Sequence, residues 1–179
     1  AGSYTISVVS ASGCTSNSLT EVLNDPSPPA TPTTSSNGGF VFCDGGITTL
    51  TSNYSNGNTW SNGSLDPSID VTSSGVYTVS YTDPSGCSAT SVPITILVNP
   101  IPNNPTLTAS GPLTFCEGES ITLSSSQGSG NLWSDGATTQ TITVENSGAY
   151  YLTYTNPNGC TASSIVSNVT VNPLPNTDA

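Results

Sequence analysis

Cysteine is the residue type whose spacing in this chain points most directly to chemistry. Cys14, Cys87 and Cys160 follow one another at intervals of 73 residues, and Cys43 and Cys116 are separated by the same interval. Cys43 lies 44 residues before Cys87, and Cys116 lies 44 residues before Cys160. The spacing predicts one disulfide in each 73-residue copy, Cys43 with Cys87 and Cys116 with Cys160, and a partner upstream of residue 1 for Cys14, a free reactive thiol being the alternative. Closing a loop of that length contributes roughly 4 kcal/mol on the chain-entropy estimate. Disulfides imply an oxidising, extracytoplasmic setting.

Acid–base chemistry is poorly served. The chain has no Lys, Arg, His or Met against eleven Asp and Glu, giving a formal net charge of −11. General acid–base work at neutral pH ordinarily uses His, Lys, Tyr or a tuned carboxylate, and an activated serine needs a base. Glu117 and Glu119 lie two apart, yet Asp44 and Gly46 stand at the matching positions one copy earlier, so the pair does not recur. No catalytic residue is expected, and the chain reads as not an enzyme. The missing cations also exclude a nucleic-acid footprint and a polybasic membrane patch. Each carboxylate must be solvated, bonded to backbone, or neutralised by an external cation.

Calcium is one such cation, with Asp44, Asp66, Asp70, Asp83, Asp135 and Glu117 as oxygen donors. It wants six to eight oxygens, and there is no Asp-x-Asp cluster, so Asx-turn capping is the favoured role and no cofactor is assigned. Trp60 and Trp133 have faces suited to sugar stacking, but their matching positions beside alternating neighbours favour a core role. Tyr151 alternates with Tyr150 and Leu152 and so should point away from the core, which makes it the one tentative stacking residue.

The elements that must position these residues come from a repeated stretch. Gly75 to Cys87 reads GVYTVSYTDPSGC, and Gly148 to Cys160 reads GAYYLTYTNPNGC; Gly2 to Cys14, GSYTISVVSASGC, is a weaker third copy. Tyr77 and Tyr150 open an alternating strand and are expected in the core. Asp83-Pro84-Ser85-Gly86 is a turn. Further strands are predicted over 40–43, 48–51, 58–61, 68–71 and 92–98, and again over 113–116, 121–124, 131–134, 141–144 and 165–171. Asn62-Gly63 and Asp135-Gly136 are read as type I′ hairpin turns.

About seven short strands per copy, without helical periodicity, predict an all-β chain of tandem immunoglobulin-like antiparallel β-sandwiches, each with one disulfide clamping one end. Residues 1–24 are read as the C-terminal fragment of a preceding copy, 25–100 and 101–174 as full copies, and 175–179 as the start of a further linker. Proline clusters at Asn24–Pro32, Asn99–Pro105 and Asn172–Asn176 should be short stiff spacers.

Phe42-Cys-Asp-Gly45, Phe115-Cys-Glu-Gly118, Trp60-Ser-Asn-Gly63, Trp133-Ser-Asp-Gly136, the Gly-x-Tyr strand and the closing Val-Asn-Pro resemble the immunoglobulin-like repeats of large surface and secreted proteins of Bacteroidota. Such repeats occur in adhesins, including those of gliding motility, and as spacers in cargo of the type IX secretion system. The resemblance implies an extracellular, cell-surface location and a structural or adhesive module of an extended stalk or filament. The alternative is a carbohydrate- or polymer-binding accessory module of a secreted protein. Implied partners are neighbouring repeats of the same chain, other copies in a filament, or surface polysaccharide, with no nucleic acid and no direct membrane insertion.

Overall fold

The computed structural model describes residues 2–16 and 19–175; the final stretch 176–179, expected to continue a linker, lies outside the described residues. The chain divides into two compact units, one of residues 1–38, 49–71 and 76–95, the other of 39–48, 72–75 and 96–179. Every regular element among the described residues is a β-strand.

The first unit begins with an antiparallel hairpin of β1 (Gly2–Ile6) and β2 (Leu19–Leu23), in register from Gly2↔Leu23 to Ile6↔Leu19. In chain order there follow β3 (Thr34–Ser36), β4 (Val41–Cys43), β5 (Thr48–Ser52), β6 (Asn58–Trp60), β7 (Ser68–Val71), β8 (Gly75–Tyr77), β9 (Val79–Thr82), β10 (Ser88–Thr90) and β11 (Ile94–Asn99), of which β4 and the part of β11 from Ile96 onward belong to the second unit. They form three three-stranded sheets, ordered β3-β5-β7, β10-β9-β6 and β4-β11-β8. Alternating burial along β5 and β6 places Thr48, Leu50 and Trp60 inside and Thr51 and Thr59 outside, the period-2 pattern of half-buried strands.

The second unit holds a whole sandwich. Its strands are β12 (Leu107–Ala109), β13 (Thr114–Cys116), β14 (Ile121–Ser125), β15 (Asn131–Trp133), β16 (Thr141–Val144), β17 (Gly148–Tyr150), β18 (Leu152–Thr155), β19 (Thr161–Ser163) and β20 (Ser167–Asn172). One layer is β12-β14-β16. In the other, β17 and β18 form one path interrupted at Tyr151, and β19 and β20 one path interrupted at residues 164–166. This double path is flanked by β15 on one side and β13 on the other. Counting each interrupted path once leaves seven strands, antiparallel throughout except where β13 runs parallel to β20. That is an immunoglobulin-like β-sandwich. Its core joins both layers through Phe115, Ile121, Leu123, Trp133, Ile142, Val144, Leu152 and Val169.

Two local expectations are corrected. Neither Asn62 nor Asp135 has a positive φ, so the turns are not type I′. Gly63 N–H donates to Trp60 O at 2.8 Å and Trp60 N–H to Ser64 O at 2.8 Å, with Gly63 at φ 89°. This is a three-residue loop whose third residue is the left-handed one. The side chain of Asn62 serves as a cap, accepting from Ser64 N–H at 3.1 Å. The proline stretches are also not spacers throughout. Pro32 and Pro105 are fully buried, a position proline tolerates because it has no N–H to leave unpaired.

Candidate cross-linking site

The cysteines occupy two kinds of place. Cys43 and Cys116 end short strands. β4 runs parallel to β11 with Cys43 opposite Asn99, and β13 runs parallel to β20 with Cys116 opposite Asn172. The next residue closes each pairing: Asp44 N–H donates to Asn99 O and Glu117 N–H to Asn172 O, both at 2.8 Å.

The other kind is a turn. Asp83 N–H donates to Cys87 O at 2.9 Å and Gly86 N–H to Asp83 O at 3.0 Å. Asp83 Oδ1 accepts from Ser85 N–H at 2.9 Å and Cys87 N–H at 3.0 Å. Asn156 holds the Cys160 turn in the same way, its Oδ1 accepting from Asn158 N–H and Cys160 N–H, each at 3.0 Å. The work is done by an amide or carboxylate oxygen, which is why Asp and Asn interchange there.

The disulfide joins one place to the other across copies. Cys43 bonds Cys160 over a sequence separation of 117, with Cα atoms 5.6 Å apart, and both residues belong to the second unit. The expected bonds Cys43–Cys87 and Cys116–Cys160 are absent, and Cys14, Cys87 and Cys116 carry free thiols. Strand direction explains the correction. Because β13 is parallel to β20, Cys116 lies at the C-terminal end of that path beside Asn172, whereas the Cys160 turn precedes its start. The twelve residue steps from Cys160 to Asn172 span up to about 40 Å as extended strand. A disulfide needs Cα atoms within about 7 Å. Cysteines of one copy therefore stand at opposite ends of a sheet. The clue in the sequence was that 117 is one 73-residue interval plus one of 44.

The remaining candidates fall into place around this site. Trp60 and Trp133 are each 2% exposed, and their Nε1–H groups donate to Asp66 O at 2.9 Å and Thr139 O at 2.8 Å. Their faces are closed to a sugar. Tyr77 and Tyr150 are half-buried, Tyr150 packing against the core of the second unit with its hydroxyl donating to Asn146 O at 3.1 Å. Tyr151, at the break between β17 and β18, is 45% exposed.

The acidic residues act mainly on local donors. Asp44 accepts from Gly45 N–H at 3.0 Å, Asp70 from the Thr49 hydroxyl at 2.7 Å, Asp66 from the Ser64 hydroxyl at 3.0 Å, Asp135 from Ala137 N–H at 3.0 Å and Glu119 from Cys116 N–H at 3.1 Å. Among the described residues no group of three or more His, Cys, Asp or Glu is placed to hold a metal ion.

No family model matches the chain, and no curated protein matches it. One solved structure with some similarity is the human OSCAR ligand-binding domain, at 13% identity and a TM-score of 0.33, the match covering 80% of this chain and 100% of that one.

Proposed function

We propose that the chain is a structural segment of an extended, extracytoplasmic stalk or filament, of the adhesive surface type implied by its resemblance to Bacteroidota repeats. The observation that carries this is the bond from Cys43 to Cys160, which reaches from one 73-residue copy into the next. A cross-copy staple carries tension past the chain between Cys43 and Cys160, so that segment is not drawn out when a copy unfolds, which suits a part that transmits load. The second unit supplies a seven-stranded sandwich, and the carboxylates Asp44, Asp66, Asp70, Asp83, Asp135 and Glu119 serve as acceptors for backbone N–H and hydroxyl groups. The sugar-binding alternative loses both indoles to the core and retains Tyr151.

Stretching single molecules tests the reading. With the bond intact the backbone between residues 43 and 160 stays hidden, and reduction should lengthen the fully unfolded chain by roughly 400 Å, at about 3.5 Å for each of the 117 residues released. Small-angle scattering of the oxidised chain should give an elongated particle, and a compact globule would overturn the stalk reading.

A further inference from the structure

The two unused cysteines of the full copies are each held in the geometry of a bonded counterpart. Cys116 matches Cys43 in strand, register and closing hydrogen bond. Cys87 matches Cys160 in its turn, and its Sγ lies 3.9 Å from the Pro26 carbonyl, 61 residues earlier, as Cys160 Sγ lies 3.8 Å from the Asn99 carbonyl, also 61 residues earlier. Asn99 is the residue paired with Cys43, so Pro26 marks the place where a strand-end cysteine belongs beside Cys87. Cys160 is 1% exposed, while Cys116 is exposed and Cys87 half-exposed, as expected of half-sites waiting for cover.

We propose that Cys116 and Cys87 are the two halves of a further cross-copy staple: Cys116 takes the turn cysteine of another copy of this repeat, and Cys87 takes the strand-end cysteine of another. The chemistry is thiol–disulfide exchange with a disulfide oxidant such as oxidised glutathione. The Cys116 thiolate attacks the glutathione disulfide and expels one glutathione thiolate. The Cys87-type thiolate of the other copy then attacks the mixed disulfide and expels the second. Two protein thiols are oxidised to one disulfide, and one glutathione disulfide is reduced to two thiols. The inference deepens the structural reading, because staples of this kind interlock a succession of copies.

The second copy can be another molecule or a further repeat of the same polypeptide, and two arms separate these sources. In the first, the 179-residue chain is oxidised in a glutathione redox buffer at rising concentration, and disulfides are mapped by mass spectrometry. The expected product is a head-to-tail ladder joined by Cys116–Cys87, lost at least tenfold in Cys87→Ser and unchanged in Cys14→Ser. In the second, one further copy of residues 103–175 is appended after residue 175. Cys116 should then bond the appended turn cysteine within one molecule, at dilutions that give no ladder. A bridge in either arm supports the proposal and identifies the source. Bridges dominated by Cys14 or by Cys116–Cys116, or no bridge in either arm while Cys43–Cys160 forms, would overturn it. A compact scattering profile with the staple present would sink the stalk reading and leave the staple standing.

Discussion

The hairpin β1–β2 and the pairing of β17 with β20 are matching positions of the repeat in two settings. Gly2↔Leu23 through Tyr4↔Glu21 repeats the register Gly148↔Val169 through Tyr150↔Ser167 residue for residue, at an offset of 146. Burial differs at the apolar positions. Ile6 is 74% exposed and Leu23 61%, whereas the matching Leu152 and Val169 are 0% and 4% exposed. Register is thus a property of the paired strands themselves, fixed by alternation and by the glycine-ended turn. Burial belongs to the rest of the copy, the strands that supply an opposing layer.

The same contrast orders the expected mutational effects. The largest should come from the staple: Cys43→Ser removes a 117-residue closure and should lower the unfolding free energy by about 5 kcal/mol on the chain-entropy estimate. Urea titration of the oxidised proteins measures this, and Cys87→Ser and Cys116→Ser in the monomeric chain should change it little. Next comes the core. Leu152→Ala should cost about 2–5 kcal/mol, while Ile6→Ala, at the matching position of the hairpin, should stay within about 0.5 kcal/mol. Equal losses at the two sites would break the comparison.

Turn glycines sharpen it further. Gly130 and Gly136 both have positive φ, 73° and 90°, but a Cβ at Gly130 would collide with the Thr155 carbonyl, whereas none lies near Gly136. Gly136→Ala should cost about 1–2 kcal/mol from backbone conformation alone. Gly130→Ala should cost a further 1–3 kcal/mol or so from the clash, seen as a lower midpoint in chemical denaturation.

The smallest effect separates the two full copies. Ser125 Oγ donates to Asn131 Oδ1 at 3.0 Å, but the matching Asn58 Oδ1 is buried without a partner. Both serines accept a backbone N–H two residues on, so that term cancels between them. Ser125→Ala should therefore be more destabilising than Ser52→Ala by about 1 kcal/mol, a difference accessible to paired thermal melts.

Much of this architecture could be read from residue order. The strands at 68–71 and 141–144 have the expected bounds, the other ranges expected by number differ by one to two residues at their ends, and the three-residue strands β3, β10, β12 and β19 were not anticipated. The indole positions were legible because Trp60 and Trp133 stand one 73-residue interval apart between matching neighbours, Asn58 and Ser61 in one copy and Asn131 and Ser134 in the next. The disulfide partners were not, because periodicity gives intervals without strand direction. An interval of 44 and one of 117 fit the same period, and only the parallel pairing of β4 with β11 and of β13 with β20 decides between them. The turn type was misread for a related reason, since Asn-Gly and Asp-Gly signal a tight reversal without fixing how many residues make it.

Cys116 lies inside the span enclosed by Cys43 and Cys160. A protease that cuts once anywhere in that span, for instance at the exposed bends 126–130, leaves both pieces covalently attached. Damage there would show on a gel only after reduction. If further copies are joined in the same overlapping way, a molecule nicked many times in service would still hold its load.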